Sequence, residues 1–150
     1  MTQPEPQRPD GWLPKAEFDA IYRRVPRLCV EVVIADRQRG VLLALRDIPP
    51  NIGAWHIPGG TVLFGESLEQ AVKRIAEFEL GLDVGVGDLL GYIEYPSHYE
   101  NGLDSPVGLA FACEPAAALD GAPEGCEWFR ELPEGLYAEQ RAFLARVLDL

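Results

Sequence analysis

Scarcity marks this 150-residue chain: it has one methionine, two histidines and three cysteines. Cys29, Cys113 and Cys126 are far apart and odd in number. That spacing argues against a disulfide framework or a zinc site, and for small core residues. Basic residues are also few, 13 Lys and Arg against 24 Asp and Glu, for a net charge of −11 without a basic cluster. Such a surface repels a phosphate backbone, so no nucleic-acid partner is expected. A small phosphorylated substrate remains compatible where a divalent cation offsets the repulsion, and the acidity serves solubility equally well. No apolar run approaches the length of a membrane span, so no membrane partner is expected. Residues 1–10 lack the apolar core of a secretory signal, which makes the cytoplasm the expected location.

What is present suits one globular unit, with 47% apolar and 25% charged residues. Residues 1–11 are proline-rich and polar and are expected to form a disordered tail before a domain over 12–150. Phe18, Ile21 and Tyr22 share a helical face, which predicts a helix over 13–24. Strands are expected over 27–35 and 41–45, joined by a turn at Gln38-Arg39-Gly40, with a loop from Pro49 to Ala54. A short apolar piece, 61–64, precedes a helix over 67–80, which Gly81 stops. Strands follow over 89–95 and 107–113, separated by a long polar loop from Pro96 to Pro106. A short strand over 126–129 and a helix over 136–150 close the chain. Strands interleaved with helices predict an α/β sandwich around a mixed sheet.

The informative stretch runs from Trp55-His56-Ile57-Pro58-Gly59-Gly60 to Leu80-Gly81-Leu82. Gly60 is followed after five residues by Glu66, and after seven more by Arg74; Glu79, Gly81 and Leu82 close the pattern. This resembles the Nudix box, whose usual ending is Arg-Glu-apolar-x-Glu-Glu-x-Gly-apolar. The resemblance implies a Nudix-type α/β/α sandwich with a mixed central β-sheet, and a hydrolase. Two box glutamates are replaced, by Ile75 and Phe78, so Glu79 alone remains of the three helix carboxylates that hold divalent cations in the family.

At roughly 100° per residue, Leu68, Val72, Ile75 and Glu79 fall in one narrow stripe, whereas Glu77 projects toward Gln70 and Lys73. Glu79 is therefore expected on the apolar face, where an unpaired carboxylate is costly. Mg²⁺ is one partner for it and an arginine such as Arg74 is the other. Glu66 reads as a structural residue before the helix. Arg74 either braces the loop or binds substrate phosphate.

Within the family, the chain is similar to GDP-mannose mannosyl hydrolases, whose box also keeps one carboxylate and ends Glu-Leu-Gly-Leu, here Glu79 to Leu82. Leu42 to Arg46 and the Pro50–Trp55 loop extend the similarity. It implies one Mg²⁺, with Mn²⁺ as an alternative, on the Gly59 carbonyl and Glu79, and Arg46 on the diphosphate of a nucleotide-sugar substrate. It also implies a homodimer built through the N-terminal segment. Water in that branch attacks the anomeric carbon and releases sugar and nucleoside diphosphate. The branch's basic histidine and metal-binding glutamine are absent from 120–128, leaving His98 and Glu124 as candidate catalytic residues. His56 reads as a strand residue without chemical role. Two other functions remain open: a Nudix pyrophosphohydrolase of a nucleoside diphosphate derivative, and a non-catalytic Nudix-fold binding module.

Overall fold

The computed structural model describes residues 8–47 and 51–149. Most of the expected tail, residues 1–7, and the start of the expected Pro49–Ala54 loop lie outside them. Residues 8–14 turn and run beside the 61–64 segment: Trp12 N–H donates to the Pro9 carbonyl, and Gly11 packs its backbone against Leu63 and Phe64.

The elements are α1 (Lys15–Tyr22), β1 (Arg27–Val33), β2 (Ala35–Asp36), β3 (Gly40–Leu45), β4 (Trp55–His56), β5 (Gly59–Thr61), α2 (Leu68–Ile75), a π-helical turn (Ala76–Leu80), β6 (Val84–Glu94), α3 (Pro96–Glu100), β7 (Pro106–Pro115), β8 (Cys126–Phe129) and α4 (Ala138–Val147). One sheet has the order β5-β1-β7-β6, parallel between β1 and β7 and antiparallel elsewhere. The other runs β2-β3-β4, with β8 also on β3.

Strand alternation sorts the core into two clusters. Val30, Val32, Ile34, Leu42 and Ala44 pack with Ala71, Val72 and Ile75 of α2, whereas Val33, Val41 and Leu43 pack with Phe143 and Leu144 of α4. Helices therefore cover opposite faces of the sheet layer, giving the α/β/α sandwich. With both faces of β1 and β3 covered, their apolar runs are nearly continuous rather than alternating.

Three departures from the sequence expectations have local causes. The helix expected over 67–80 starts as anticipated, with a capping box in which Ser67 accepts from Gln70 N–H and the Gln70 side chain accepts from Ser67 N–H. It changes to a π turn at Ala76, and Gly81 ends it at φ 65°. The polar loop after Tyr95 contains α3, with Pro96 in the first turn, where a missing N–H costs nothing. Strand β6 starts at Val84, five residues earlier than expected, and its register against β7 shifts twice between Val86 and Gly91. Those irregularities and its glycines erase the alternation that marks a strand. Gly91, at φ +148°, lets the Phe143 ring approach to within van der Waals contact.

Candidate functional site

A polar cleft of about 350 Å³ opens beside the glycine pair. Its walls come from the outward ends of β1, β3 and β5, the π turn, α3, the turn before β8 and the start of α4. Gly59, Glu79, Arg46, His98 and Glu124 all line it, so the fold brings together five of the six residues singled out from the sequence. The sixth, Arg74, is committed elsewhere. Its guanidinium pairs with Glu66 at 2.7 and 3.0 Å and donates to the Thr61 carbonyl at 2.8 Å. Glu66 also accepts from Leu63 N–H, so Arg74 and Glu66 lock the loop after the glycine pair to α2. Glu66 is held below the usual carboxylate range by the Arg74 and Leu63 bonds, which outweigh its desolvation.

Glu79 departs from its expected burial: it is exposed at the cleft mouth, whereas Ala76 and Leu80 are buried. The π turn explains the shift. Its wider i→i+5 turn advances each residue by a smaller angle than an α-helix, so the apolar stripe passes to Leu80 and Glu79 swings to the edge. Desolvation in the cleft raises the Glu79 carboxyl, Arg46 opposes that rise, and Asp47 adds to it. Among the described residues no three His, Cys, Asp or Glu side chains converge on one point. A cation here would draw on one carboxylate, backbone carbonyls and substrate oxygens. That donor set suits Mg²⁺, which keeps several waters and binds through one or two carboxylates plus phosphates.

Gly59 owes its place to Glu31, its register partner on β1. A Cβ at Gly59 would collide with the Glu31 carboxylate on one side, and a Cβ at Gly108 would collide with it on the other. The sheet thus leaves room for one buried acid. Glu31 Oε1 accepts from Tyr95 O–H at 2.7 Å, Gln140 donates to the Tyr95 oxygen at 2.9 Å, and Ile57 N–H donates to Gln140 at 2.7 Å. Burial pushes the Glu31 carboxyl up to about 8, against the opposing effects of the Tyr95 bond and of Arg27. This acid lies on the cleft floor, and sequence reasoning passed over it. Its signal was there: a glutamate inside Leu28-Cys29-Val30-Glu31-Val32-Val33 is buried if the strand is, and a buried acid needs a partner.

His98 sits on α3 between the rings of Tyr95 and Tyr137, with centroids 5.3 and 6.2 Å away. Its Nδ1 lies 3.4 Å from Asp104 Oδ1, and Arg27 Nε lies 2.5 Å from Asp104 Oδ2. Neither Asp104 nor Arg27 was singled out in the sequence. His56, read there as inert, also lines the cleft; its Nδ1 lies 3.0 Å from the Ile57 carbonyl, and burial lowers its pKa. Glu124 stands exposed at the rim. Burial pushes the Cys29 thiol to about 12 and Cys113 to about 11, so neither is a thiolate nucleophile.

The NUDIX domain family matches residues 25–147. The "Low-salt glycan biosynthesis protein Agl8" of Haloferax volcanii is 40% identical over 109 residues, covering 71% of this chain and 69% of that protein. An RNA pyrophosphohydrolase of Erythrobacter litoralis is 34% identical over 74 residues, covering 49% of this chain and 45% of that protein. Among solved structures, a MutT NUDIX hydrolase from Burkholderia pseudomallei aligns with a TM-score of 0.67 at 29% identity, over 82% of this chain and 98% of that one.

Proposed function

The chain belongs to the NUDIX family of hydrolases, and from that premise we propose that it cleaves a nucleoside diphosphate sugar at the anomeric carbon, releasing sugar and nucleoside diphosphate. The observation that carries the reading is the donor set of the cleft: Glu79 is its sole helix carboxylate of the box, beside a glycine whose neighbours forbid a side chain. One Mg²⁺ (or Mn²⁺) suffices to neutralise a diphosphate leaving group, whereas cutting between phosphoryl groups usually draws on more box carboxylates. The glycan-biosynthesis name of the Haloferax relative supports a sugar-linked substrate.

In this mechanism Glu79 and the Gly59 carbonyl would hold the cation, which supplies charge neutralisation when bound. Arg46, just after β3, lines the same cleft as Glu79 and would face the diphosphate, which supports its role as a substrate contact. Glu31 and Tyr95 on the cleft floor and His98 beside them would receive the sugar, where hydroxyl groups match their donors and acceptors. His98, as acceptor of a proton from water, is the base, and Glu124 at the rim is the second candidate. Arg74 keeps the loop in place through Glu66 rather than touching substrate.

The proposal includes a homodimer, supported by an apolar face on which Phe64 is 95% and Phe78 79% exposed, beside Trp12 and Ile21; a sedimentation mass of one chain at micromolar concentration counts against it. The three unpaired thiols suit a reducing compartment such as the cytoplasm.

The test is a product assay over a panel of nucleoside diphosphate sugars, with and without Mg²⁺, on wild type and Glu79→Gln. Free sugar plus nucleoside diphosphate is expected, with turnover falling by about two orders of magnitude or more in Glu79→Gln. A nucleoside monophosphate product would instead favour a pyrophosphohydrolase, the reading to which the Erythrobacter relative lends support. Nucleotide binding without turnover would favour a non-catalytic module.

A further inference from the structure

Asp104 closes the turn that leads from α3 into β7, and it uses its two oxygens for different partners. Oδ2 takes Arg27 Nε at 2.5 Å and Oδ1 faces His98 Nδ1 at 3.4 Å. Arg27 is itself fixed, donating to Thr61 Oγ1 at 2.8 Å and lying 3.1 Å from Cys29 Sγ. A chain of contacts therefore runs from the sheet, through Arg27 and Asp104, to the imidazole at the cleft wall. Arg27 and Asp104 are each about one-fifth exposed, so the pair is partly shielded from water.

The consequence for His98 is a choice of tautomer. A carboxylate at Nδ1 accepts a hydrogen bond only if the proton of the neutral ring sits on Nδ1. Nε2 then carries the lone pair, and it is the nitrogen left for the cleft that His98 lines. The aromatic rings of Tyr95 and Tyr137 limit rotation of the imidazole. An apo separation of 3.4 Å is in keeping with catalytic hydrogen bonds that shorten when substrate arrives.

We propose that Asp104, anchored by Arg27, is the positioning residue that orients His98 with Nε2 toward the cleft as proton acceptor for the attacking water. The inference rests on attack at the anomeric carbon. In that step the water oxygen forms a bond to the anomeric carbon as the bond from that carbon to the diphosphate oxygen breaks. The electron pair of the broken bond leaves with the diphosphate, and the water proton passes to His98 Nε2.

The groups facing His98 are Asp104 and, behind it, Arg27 on the sheet side, Tyr95 before α3, and Tyr137 and Glu139 at the start of α4. Glu139 accepts from Ser97 N–H and Oγ, and these bonds, outweighing its desolvation, hold it below the usual carboxylate range. Removal of the Asp104 charge therefore changes the field at His98 from one side only.

The chain contains two histidines, so ¹H–¹⁵N spectra of the imidazoles assign both tautomers with His98→Gln as the reference. The expected result is the Nδ1–H tautomer for His98 in wild type and loss of that preference in Asp104→Asn. Turnover of the sugar nucleotide found in the product assay should then fall at least about tenfold in Asp104→Asn, with KM within about twofold. Arg27→Gln separates positioning from structure: a smaller kcat loss with His98 still in the Nδ1–H form supports the proposal. An Nε2–H tautomer in wild type overturns it, as does turnover in Asp104→Asn within twofold of wild type, with thermal melts confirming that each variant is folded. A monophosphate product with the Nδ1–H tautomer intact overturns attack at carbon while leaving the orientation of His98 standing.

Discussion

Strand β1 carries two chemistries on its two faces. Val30 and Val32 point into the α2 side and meet Val72 and Ile75 in an apolar cluster with no polar partner to satisfy. Arg27, Cys29 and Glu31 alternate with them and line the cleft, where Arg27 and Glu31 are held by bonds to other elements and Cys29 lies against Arg27. The α2 face of this strand thus gives only cohesion, whereas the other gives the site from Arg27 to Glu31 and returns to the core at Val33. Stability on the first face comes from removing area from water and tolerates little loss of volume. On the second face, burial of an acid costs free energy, and two glycines and a tyrosine offset that cost in order to keep a hydrogen-bonding group at the cleft floor.

The largest expected effect breaks the apolar face. Leu42→Ala removes a fully buried side chain next to Val30 and Val32 and should destabilise the protein by about 2–5 kcal/mol in urea unfolding. Cleft geometry, read as KM at a temperature where the variant is still folded, should change little.

On the polar face, pH does what a mutation does on the other. Asp104 is held at about 2, against its usual 3.8, by the His98 bond first and then by Arg27. A carboxyl lowered on folding contributes stability above its unfolded value, and that contribution disappears as pH falls through the folded one. Wild type should therefore lose on the order of 2 kcal/mol between about pH 4 and pH 2 from this group, and Asp104→Asn should lack that part of the slope. Urea midpoints across that range decide it; parallel slopes in the two proteins would remove Asp104 from the account.

The smallest effect on stability, and the sharpest contrast, is expected from Glu31→Gln. The amide fits between Gly59 and Gly108 and still accepts from Tyr95, so stability should stay within about 1 kcal/mol of wild type or rise. Turnover should fall about tenfold if a substrate hydroxyl uses the carboxyl. A large loss of stability with normal turnover would return Glu31 to the fold and take it out of the site.

Local signals in the sequence carried much of the architecture. The valine-rich run at β1, the helix start near Ser67, Gly81 at the helix end and the short strand over 126–129 each depend on neighbours a few residues apart, and each is found where expected. The Nudix spacing is local too, and it led to Gly59 and Glu79. Where the expectations failed, packing overrode periodicity. The π turn moved Glu79 from the apolar face to the cleft edge because Leu80, not Glu79, completes the core. The bulged β6 shows no alternation to read.

By itself, then, the sequence determined the family, the main strands and helices and one carboxylate beside a glycine pair, because turns, helix ends and the box are written over short spans of chain. Only the tertiary structure decided the rest of the site. Tyr95 reaches Glu31 across 64 residues, Arg27 reaches Asp104 across 77, and Gln140 reaches Ile57 across 83. No pattern within one element encodes such pairs. They exist because β1 lies between β5 and β7, which brings distant polar groups to one cleft, where burial favours pairing with protein partners over water.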